Sequence, residues 1–307
     1  MARSGKIIAV LCPGEIGARV GASLVEKGEV VITTLDGRGA ATRRRCAESG
    51  MAVRSTIADI VREADIVLSL VPPATAMDVA RDYGRLAHQA PPDALFVDLN
   101  STGPALALEM CRTVEQGGRD FVDGAINGLA SRFTDGGTLF LSGIRAGEIA
   151  ALFEGVTRVQ VLGSEPGAAS AMKMLLSGIS KGICALYAEL ALAAQQQGML
   201  RELLDASSRI YPEVTNLVHR MLPTYPQHAG RRAEEMQQLE RTVRDAGIHP
   251  LVTGAVRQFH DCLNDVELPA NGARDIVELL EELAIKRFRS VGLRASPELA
   301  TLNIPKD

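Results

Sequence analysis

Tryptophan is absent from this chain of 307 residues, and aromatic side chains make up only 4% of it. A stacking platform for bases or sugar rings is therefore not expected, because such platforms are built from successive aromatic faces. Cysteine is scarce and scattered: Cys12, Cys46, Cys111, Cys184 and Cys262 are odd in number and lack the paired spacings of zinc sites or disulfide frameworks. They are expected to be reduced, mostly core residues, and no metal site is expected. Positive charge is not in excess either. A net charge of -4 argues against a nucleic-acid partner, which needs a positive field, although Arg43-Arg44-Arg45 and Arg231-Arg232 are local candidates for anion binding. No apolar run is read as approaching the roughly 18 to 20 residues that a bilayer demands. The expectation is a cytoplasmic protein with no membrane partner. Internal repeats and low-complexity segments are missing as well.

What is present is ordinary globular composition, 46% hydrophobic and 23% charged, in a length that suits about two domains. Short β-rich runs at 6–12, 30–35, 66–71, 95–99, 121–126, 138–142 and 159–162 occupy the first half. Helical patterns at 16–27, 40–49, 76–89 and 105–116 separate the earlier ones. Continuous apolar strands alternating with helices predict an α/β fold, a doubly wound and mainly parallel sheet covered on both faces. Beyond about Gly163 the strand signals stop. Ser164 and Pro166 suit the entry to a helix, and an apolar pattern continues to about Gln197, with Gly178 and Gly182 as possible bends. Helical patterning then runs to about Leu293, punctuated by Pro212, Pro223, Pro226, Pro250 and Pro269, before a loose tail of about a dozen residues. Two domains follow, 1–163 for a dinucleotide and 164–307 all-helical, the second starting with a long interdomain helix.

The stretch Ile7 to Gly17 reads as strand, tight turn and helix start. In a dinucleotide fingerprint the middle glycine lets the backbone approach the pyrophosphate, and the last lets the helix pack on the strand. Gly14 and Gly17 fill those places, whereas Cys12 stands where the first glycine belongs. Cys12, Pro13, Gly14, Glu15 and Ile16 are thus the candidate phosphate loop. A plain strand-to-helix connection is the alternative. After the second strand, Asp36 is placed to meet the ribose hydroxyls of NAD, while Arg38 is placed to meet the extra phosphate of NADP. The sequence leaves the two open, and an ordinary Asp-Gly turn is the third reading.

Val71 and Pro72 stand at the end of the strand at 66–71, and Asp98-Leu-Asn100-Ser101-Thr102-Gly103-Pro104 begins at the end of the strand at 95–99. Both lie at the edge where open α/β sheets hold ligands. Ser101 or Thr102 is equally suited to cap the next helix. Lys173 opens the long helical run, with Ser177 and Lys181 four and eight positions on, hence on one face. A lysine near an apolar cleft is suited to proton transfer, against the common alternative of a solvated surface charge. Met172, Met174, Leu175 and Leu176 suggest a more enclosed setting.

These elements in order, with Asp123-Gly-Ala-Ile-Asn127-Gly128 and Asp135-Gly-Gly137-Thr138 between them, resemble the β-hydroxyacid dehydrogenase family of 3-hydroxyisobutyrate and 6-phosphogluconate dehydrogenases. The resemblance spans about residues 6–185. It implies NAD(P)-dependent interconversion of a hydroxyl and a carbonyl, with Lys173 at the position of the catalytic lysine and Ser101 at that of the motif serine. Asn127 and Gly128 stand in the place of the substrate-binding Ser-Gly-Gly segment. The asparagine usual four residues after the lysine is Ser177 here. The stretch from His228 to Met236 resembles a less-characterised 6-phosphogluconate dehydrogenase-like branch.

The expected protein is therefore an oxidoreductase acting on a small β-hydroxy acid or related alcohol bound between the domains. Lys173 is the general acid or base, and Ser101, Asn127 and Ser177 orient the substrate. His228, Arg231 and Arg232 are candidates for an anionic substrate group, against a solvated helix surface facing Glu234, Glu235 and Glu240. The helical half is expected to pair with a second copy. An imine reductase on the same scaffold, or a non-catalytic NAD(P)-sensing protein, is the alternative function.

Overall fold

The computed structural model describes residues 5–225, 228–264 and 275–286. The expected loose tail, the last part of the helical pattern, Pro226 and Pro269 lie outside them. Two compact units divide the chain, Met1–Leu176 and Ser177–Asp307.

The first unit is built on eight strands: β1 (Ile7–Leu11), β2 (Val30–Thr34), β3 (Ala52–Arg54), β4 (Ile66–Ser69), β5 (Leu95–Asp98), β6 (Asp120–Asn127), β7 (Thr138–Ser142) and β8 (Arg158–Val161). They form one sheet in the order β3-β2-β1-β4-β5-β6-β7-β8. Every neighbouring pair is parallel except β6 with β7. Helices α1 (Glu15–Glu26), α2 (Ala40–Glu48), α3 (Ile57–Glu63), α4 (Pro73–Leu86), α5 (Pro104–Gln116) and α6 (Ala146–Leu152) make the connections. The strand order reverses between β1 and β4, and in such sheets the crevice at the carboxyl ends of that pair is the ligand position.

Strand alternation divides the core. Ile7, Ala9 and Leu11 face one layer with Tyr83 of α4 and Met110 of α5, while Ile8 and Val10 face the other with Val20 and Leu24 of α1 and Ile149 of α6. A sheet covered on both faces needs apolar residues at consecutive strand positions, which is why β1, β4 and β5 were legible as unbroken apolar runs.

Sequence reading misses β3, α3 and α6. The first is a three-residue edge strand whose side chains are mostly exposed, so burial leaves no pattern in it. α3 is seven residues long but carries a complete capping box, in which Thr56 accepts from the Asp59 N–H and Asp59 accepts from the Thr56 N–H.

A long helix, α7 (Ala168–Gln196), belongs to both units. It begins four residues after Ser164 and is unbroken through Gly178 and Gly182. Within the second unit, a Cβ on Gly178 would collide with Leu239, so close packing is what requires glycine there. The remaining helices are α8 (Leu200–Ile210), α9 (Pro212–Met221), α10 (Ala229–Asp245), α11 (Leu251–Asn264) and α12 (Ile276–Lys286). No strand occurs among the described residues of this unit.

One expectation is corrected here. By length and composition α7 is apolar enough to cross a bilayer, with an 18-residue window of mean hydropathy 1.4, a third of which is buried within the chain. Lys173, Lys181 and Glu189 leave no unbroken apolar run of that length, whereas an average over the window tolerates isolated charges.

Candidate active site

The turn after β1 sets the first part of the site. Cys12 adopts a left-handed backbone, φ 64°, and is the only such non-glycine among the described residues. Its carbonyl accepts from the Gly14 N–H at 2.7 Å, and a Cβ on Gly17 would strike that same carbonyl. The tight turn is thus made at the expense of strain in Cys12. Gly14 occupies the N-cap of α1 without any side-chain cap, and a Cβ placed on it would meet nothing within 4 Å. Open space in front of a helix N-terminus with uncapped N–H groups fits a pyrophosphate. Glu15 and Ile16 form the first turn, Glu15 exposed, and Pro13 is buried beneath it.

Past the end of β2, Asp36 is exposed and its N–H donates to Thr34 Oγ1 at 3.4 Å. Arg43 of α2 braces this loop by donating to the carbonyls of Leu35 and Arg38, each at 3.0 Å. A carboxylate and two guanidinium groups therefore share the segment where an adenosine ribose would end. Val71 is buried and Pro72 is the exposed N-cap of α4, beside β1 at the strand-order reversal.

The segment after β5 behaves differently from a helix cap. α5 has Gly103 at its N-cap and no side-chain cap, so the capping role considered for Ser101 and Thr102 is not taken up. Asn100 turns inward: its amide donates to Ser69 Oγ at 3.0 Å and to Asp98 Oδ1, and its own Oδ1 is buried without a protein partner. Thr102 Oγ1 donates to Asp98 Oδ2 at 3.4 Å. Ser101, held between them and half-buried, points the other way and accepts a hydrogen bond from Lys173 Nζ at 2.5 Å. Residues 72 positions apart in sequence are thus brought together. Lys173 is half-buried and is not a surface charge in bulk water.

Beneath this pair lie two carboxyl groups that sequence reading passes over. Asp98 and Asp123 are in register on β5 and β6 and wholly buried. Burial, reinforced by the neighbouring charge of Asp123, pushes the Asp98 carboxyl up to about 7 against the opposing hydrogen bonds from Asn100 and Thr102. Both aspartates open motif segments, 98–104 and 123–128. What the sequence lacks is any sign that they are strand neighbours.

Asn127 and Gly128, at the end of β6, are exposed, and Gly128 takes φ 130°, which favours glycine. In the second unit, Lys181 is buried, donates to Ser177 Oγ and pairs with Glu235 at 2.8 Å. Desolvation lowers its pKa, with Glu235 opposing. Arg231 is exposed and also pairs with Glu235, and His228 is exposed just before α10. The buried arginine is instead Arg232, stacked 3.9 Å over the Tyr225 ring and donating to Thr224 Oγ1 at 2.8 Å. No cluster of three metal-binding side chains occurs among the described residues.

Comparison with known proteins adds the following. Residues 7–163, just over half of the chain, match the family model described as the NAD binding domain of 6-phosphogluconate dehydrogenase, and residues 194–263 match a domain of unknown function, DUF1932. An "uncharacterized 28.5 kDa protein in 7S RNA 5'region" of Methanothermus fervidus is 27% identical over 78% of this chain and 91% of that protein. Among solved structures, the conserved protein MTH1747 of unknown function, described as structurally similar to 3-hydroxyacid dehydrogenases, is 28% identical with a TM-score of 0.69, covering 84% of this chain and 97% of the other. The Mycobacterium tuberculosis 3-hydroxyisobutyrate dehydrogenase, solved with L-serine, shares the fold with a TM-score of 0.71 at 19% identity, over 91% and 99% of the two chains.

Proposed function

Because this chain belongs to the family of the NAD binding domain of 6-phosphogluconate dehydrogenase, and with it to the NAD(P)-dependent dehydrogenases that act on CH–OH groups, we propose that it interconverts a hydroxyl and a carbonyl on a small β-hydroxy acid, with Lys173 as general acid and base. The observation that carries this reading is the hydrogen bond from Lys173 Nζ to Ser101 Oγ, made at the carboxyl edge of the sheet.

The nucleotide, when bound, supplies the hydride acceptor or donor. Gly14, Glu15 and Ile16 would hold its pyrophosphate on the N-terminus of α1, and Asp36, Arg38 and Arg43 would meet the ribose end. In the direction of reduction, the Lys173 ammonium gives its proton to the substrate's carbonyl oxygen. In oxidation, the amine takes the hydroxyl proton. Ser101 accepts from Lys173, which leaves its own O–H to donate to a substrate oxygen and fix the distance to the lysine. Asn127 and Gly128, exposed at the end of β6, are proposed substrate contacts. Ser177, one turn beyond Lys173, is proposed to assist through its hydroxyl. An acidic substrate is part of the proposal, since a cation beside a hydroxyl donor suits a carboxylate as well as a polarised carbonyl.

A second copy of the chain is proposed as partner. Leu175, Ile179, Leu186 and Leu190 of α7 are all about half exposed or more, and helix geometry places the four within a stripe roughly 60° wide.

The test is turnover of a panel of small β-hydroxy acids with NAD and NADP, alongside fluorescence titration with NADH and NADPH. Lys173→Ala is expected to lower kcat by about 100-fold to 10,000-fold while NADPH still binds. Unchanged turnover in that variant refutes the acid–base role.

A further inference from the structure

Lys173 and Ser101 sit on different elements, and each of those elements is tied to one of the two buried aspartates. Ser101 lies between Asn100 and Thr102, whose side chains both donate to Asp98. Lys173 is the sixth residue of α7, and the start of α7 is tied to Asp123. Asp123 Oδ2 accepts from the Gly167 N–H at 2.9 Å and the Ser170 N–H at 3.0 Å, and Oδ1 accepts from Ser170 Oγ at 2.6 Å. The Ala169 N–H donates to Ser142 Oγ, which itself donates to Asp123 Oδ2 at 3.0 Å. A carboxylate from a strand thereby performs the capping that a side chain at the helix's own N-terminus usually performs, and its charge complements the positive end of the helix dipole. Since Asp98 and Asp123 are register partners on adjacent parallel strands, the loop carrying the serine and the helix carrying the lysine are referenced to the same rung of one sheet.

We propose that Asp98 and Asp123 are positioning residues, a strand-borne clamp that sets the Lys173 ammonium against Ser101. The clamp rests on the reading of Lys173 and Ser101 as the catalytic pair, and neither aspartate touches the reacting atoms. Its physical content is rigidity. The amide of Asn100, the hydroxyls of Thr102, Ser142 and Ser170 and the N–H groups of Gly167, Ala169 and Ser170 all donate to the two carboxyls or to Ser69 and Ser142, in a buried region where an unmade hydrogen bond is expensive. Loosening either end frees the lysine from its partner.

The experiment is competitive acetylation of the full-length protein with limiting acetic anhydride, reading the ratio of modification at Lys173 to that at Lys27 by peptide mass spectrometry. Lys27 is an exposed internal reference, bonded to the carbonyls of Ala151 and Leu152. Asp123→Ala and Asp98→Ala are each expected to raise the ratio about fivefold, the equivalent of one lost hydrogen bond. Asp123→Asn retains an acceptor oxygen and is expected to restore most of the wild-type value. A purely structural role would lower the melting temperature and leave the ratio alone. An unchanged ratio in both alanine variants, with native circular dichroism at the assay temperature, overturns the clamp. Should those variants fail to fold, Thr102→Val and Ser170→Ala each remove one donor and leave both acids. About a twofold rise then supports the clamp, and no rise overturns it. The labelling needs no substrate, so a protein without dehydrogenase turnover sinks the functional reading while the ratio still decides the clamp.

Discussion

Two residues of the β1–α1 turn pull against each other. Cys12 is held at φ 64°, a region that costs a side-chain-bearing residue on the order of 1 kcal/mol or more. The half-buried side chain packs against the apolar layer that holds Ile7, Ala9 and Leu11, which offsets part of this strain. Cys12→Gly is expected to release the left-handed strain and, net of the lost packing, to stabilise the protein by up to about 1 kcal/mol, read as a higher urea midpoint, with nucleotide affinity retained. Gly17 gives the reverse result. A methyl group there meets the Cys12 carbonyl, which is backbone and cannot step aside, so Gly17→Ala is expected to cost about 1 to 3 kcal/mol and to weaken NADPH binding in a fluorescence titration. Sequence reading found both positions, because a glycine fingerprint is a local pattern. It also found Lys173 and Ser101 one by one, from the residues that surround each, yet had no means of seeing them hydrogen-bonded.

At the scale of elements, β5 and the helical unit carry buried titrations of opposite sign. Asp98 rises from an ordinary 3.8 to about 7 through burial and the charge on Asp123. Folded protein then holds a proton that the unfolded chain has released, so the stability from this group is complete below pH about 3.8 and is lost as pH rises towards about 7. Asp98→Asn is expected to flatten that slope: between about pH 5 and pH 8 the variant should lose less stability than the wild type in urea melts. His260 of α11 is wholly buried, both ring nitrogens lack protein partners, and desolvation with the nearby cations Arg232 and Lys181 lowers it to about 4. Its contribution is complete above pH about 6.5 and is lost as pH falls towards 4. His260→Phe is expected to make the protein less sensitive to acid in that window, measured by melting temperature against pH. Because the two slopes oppose each other in the wild type, each assignment is read from its own variant: a pH dependence of stability unchanged by Asp98→Asn, or by His260→Phe, contradicts that group's assignment.

At the scale of the whole molecule, the amphipathic pattern of α7 has an unusual excess. Part of the helix is buried within the chain, while the stripe from Leu175 to Leu190 is left outside. Apolar surface of that kind on a globular fold favours association. Ile179→Lys together with Leu186→Lys is expected to convert a dimer into a monomer in sedimentation velocity, and unchanged mass for the double variant would refute α7 as the interface. The two compact units meet within this helix, after Leu176, whereas the sequence places its change of character at about 163, where strand signals end. A contact-based division and a pattern-based one differ because the first turns of α7 are fastened to the sheet by Asp123 and Ser142, a tertiary fact with no trace in local periodicity.

The sequence by itself determined the class of fold, the parallel strands, the glycine turn after β1 and the lysine-bearing helix, since each is encoded by neighbours within a dozen residues: apolar runs, glycine spacing, helical period. It named Arg231 and Arg232 together as anion candidates and could not separate them, because two adjacent arginines on a helix differ only in the face they present; in the structure Arg232 is buried over Tyr225 while Arg231 is exposed. Only the tertiary structure decided that Asp98 and Asp123 are rung partners, that Ser101 meets Lys173, and that Asn100 turns inward. Those facts depend on strand order and on the crossing of segments far apart in the chain, and pairing across a sheet is chosen by packing of the whole and not by any residue's own neighbourhood.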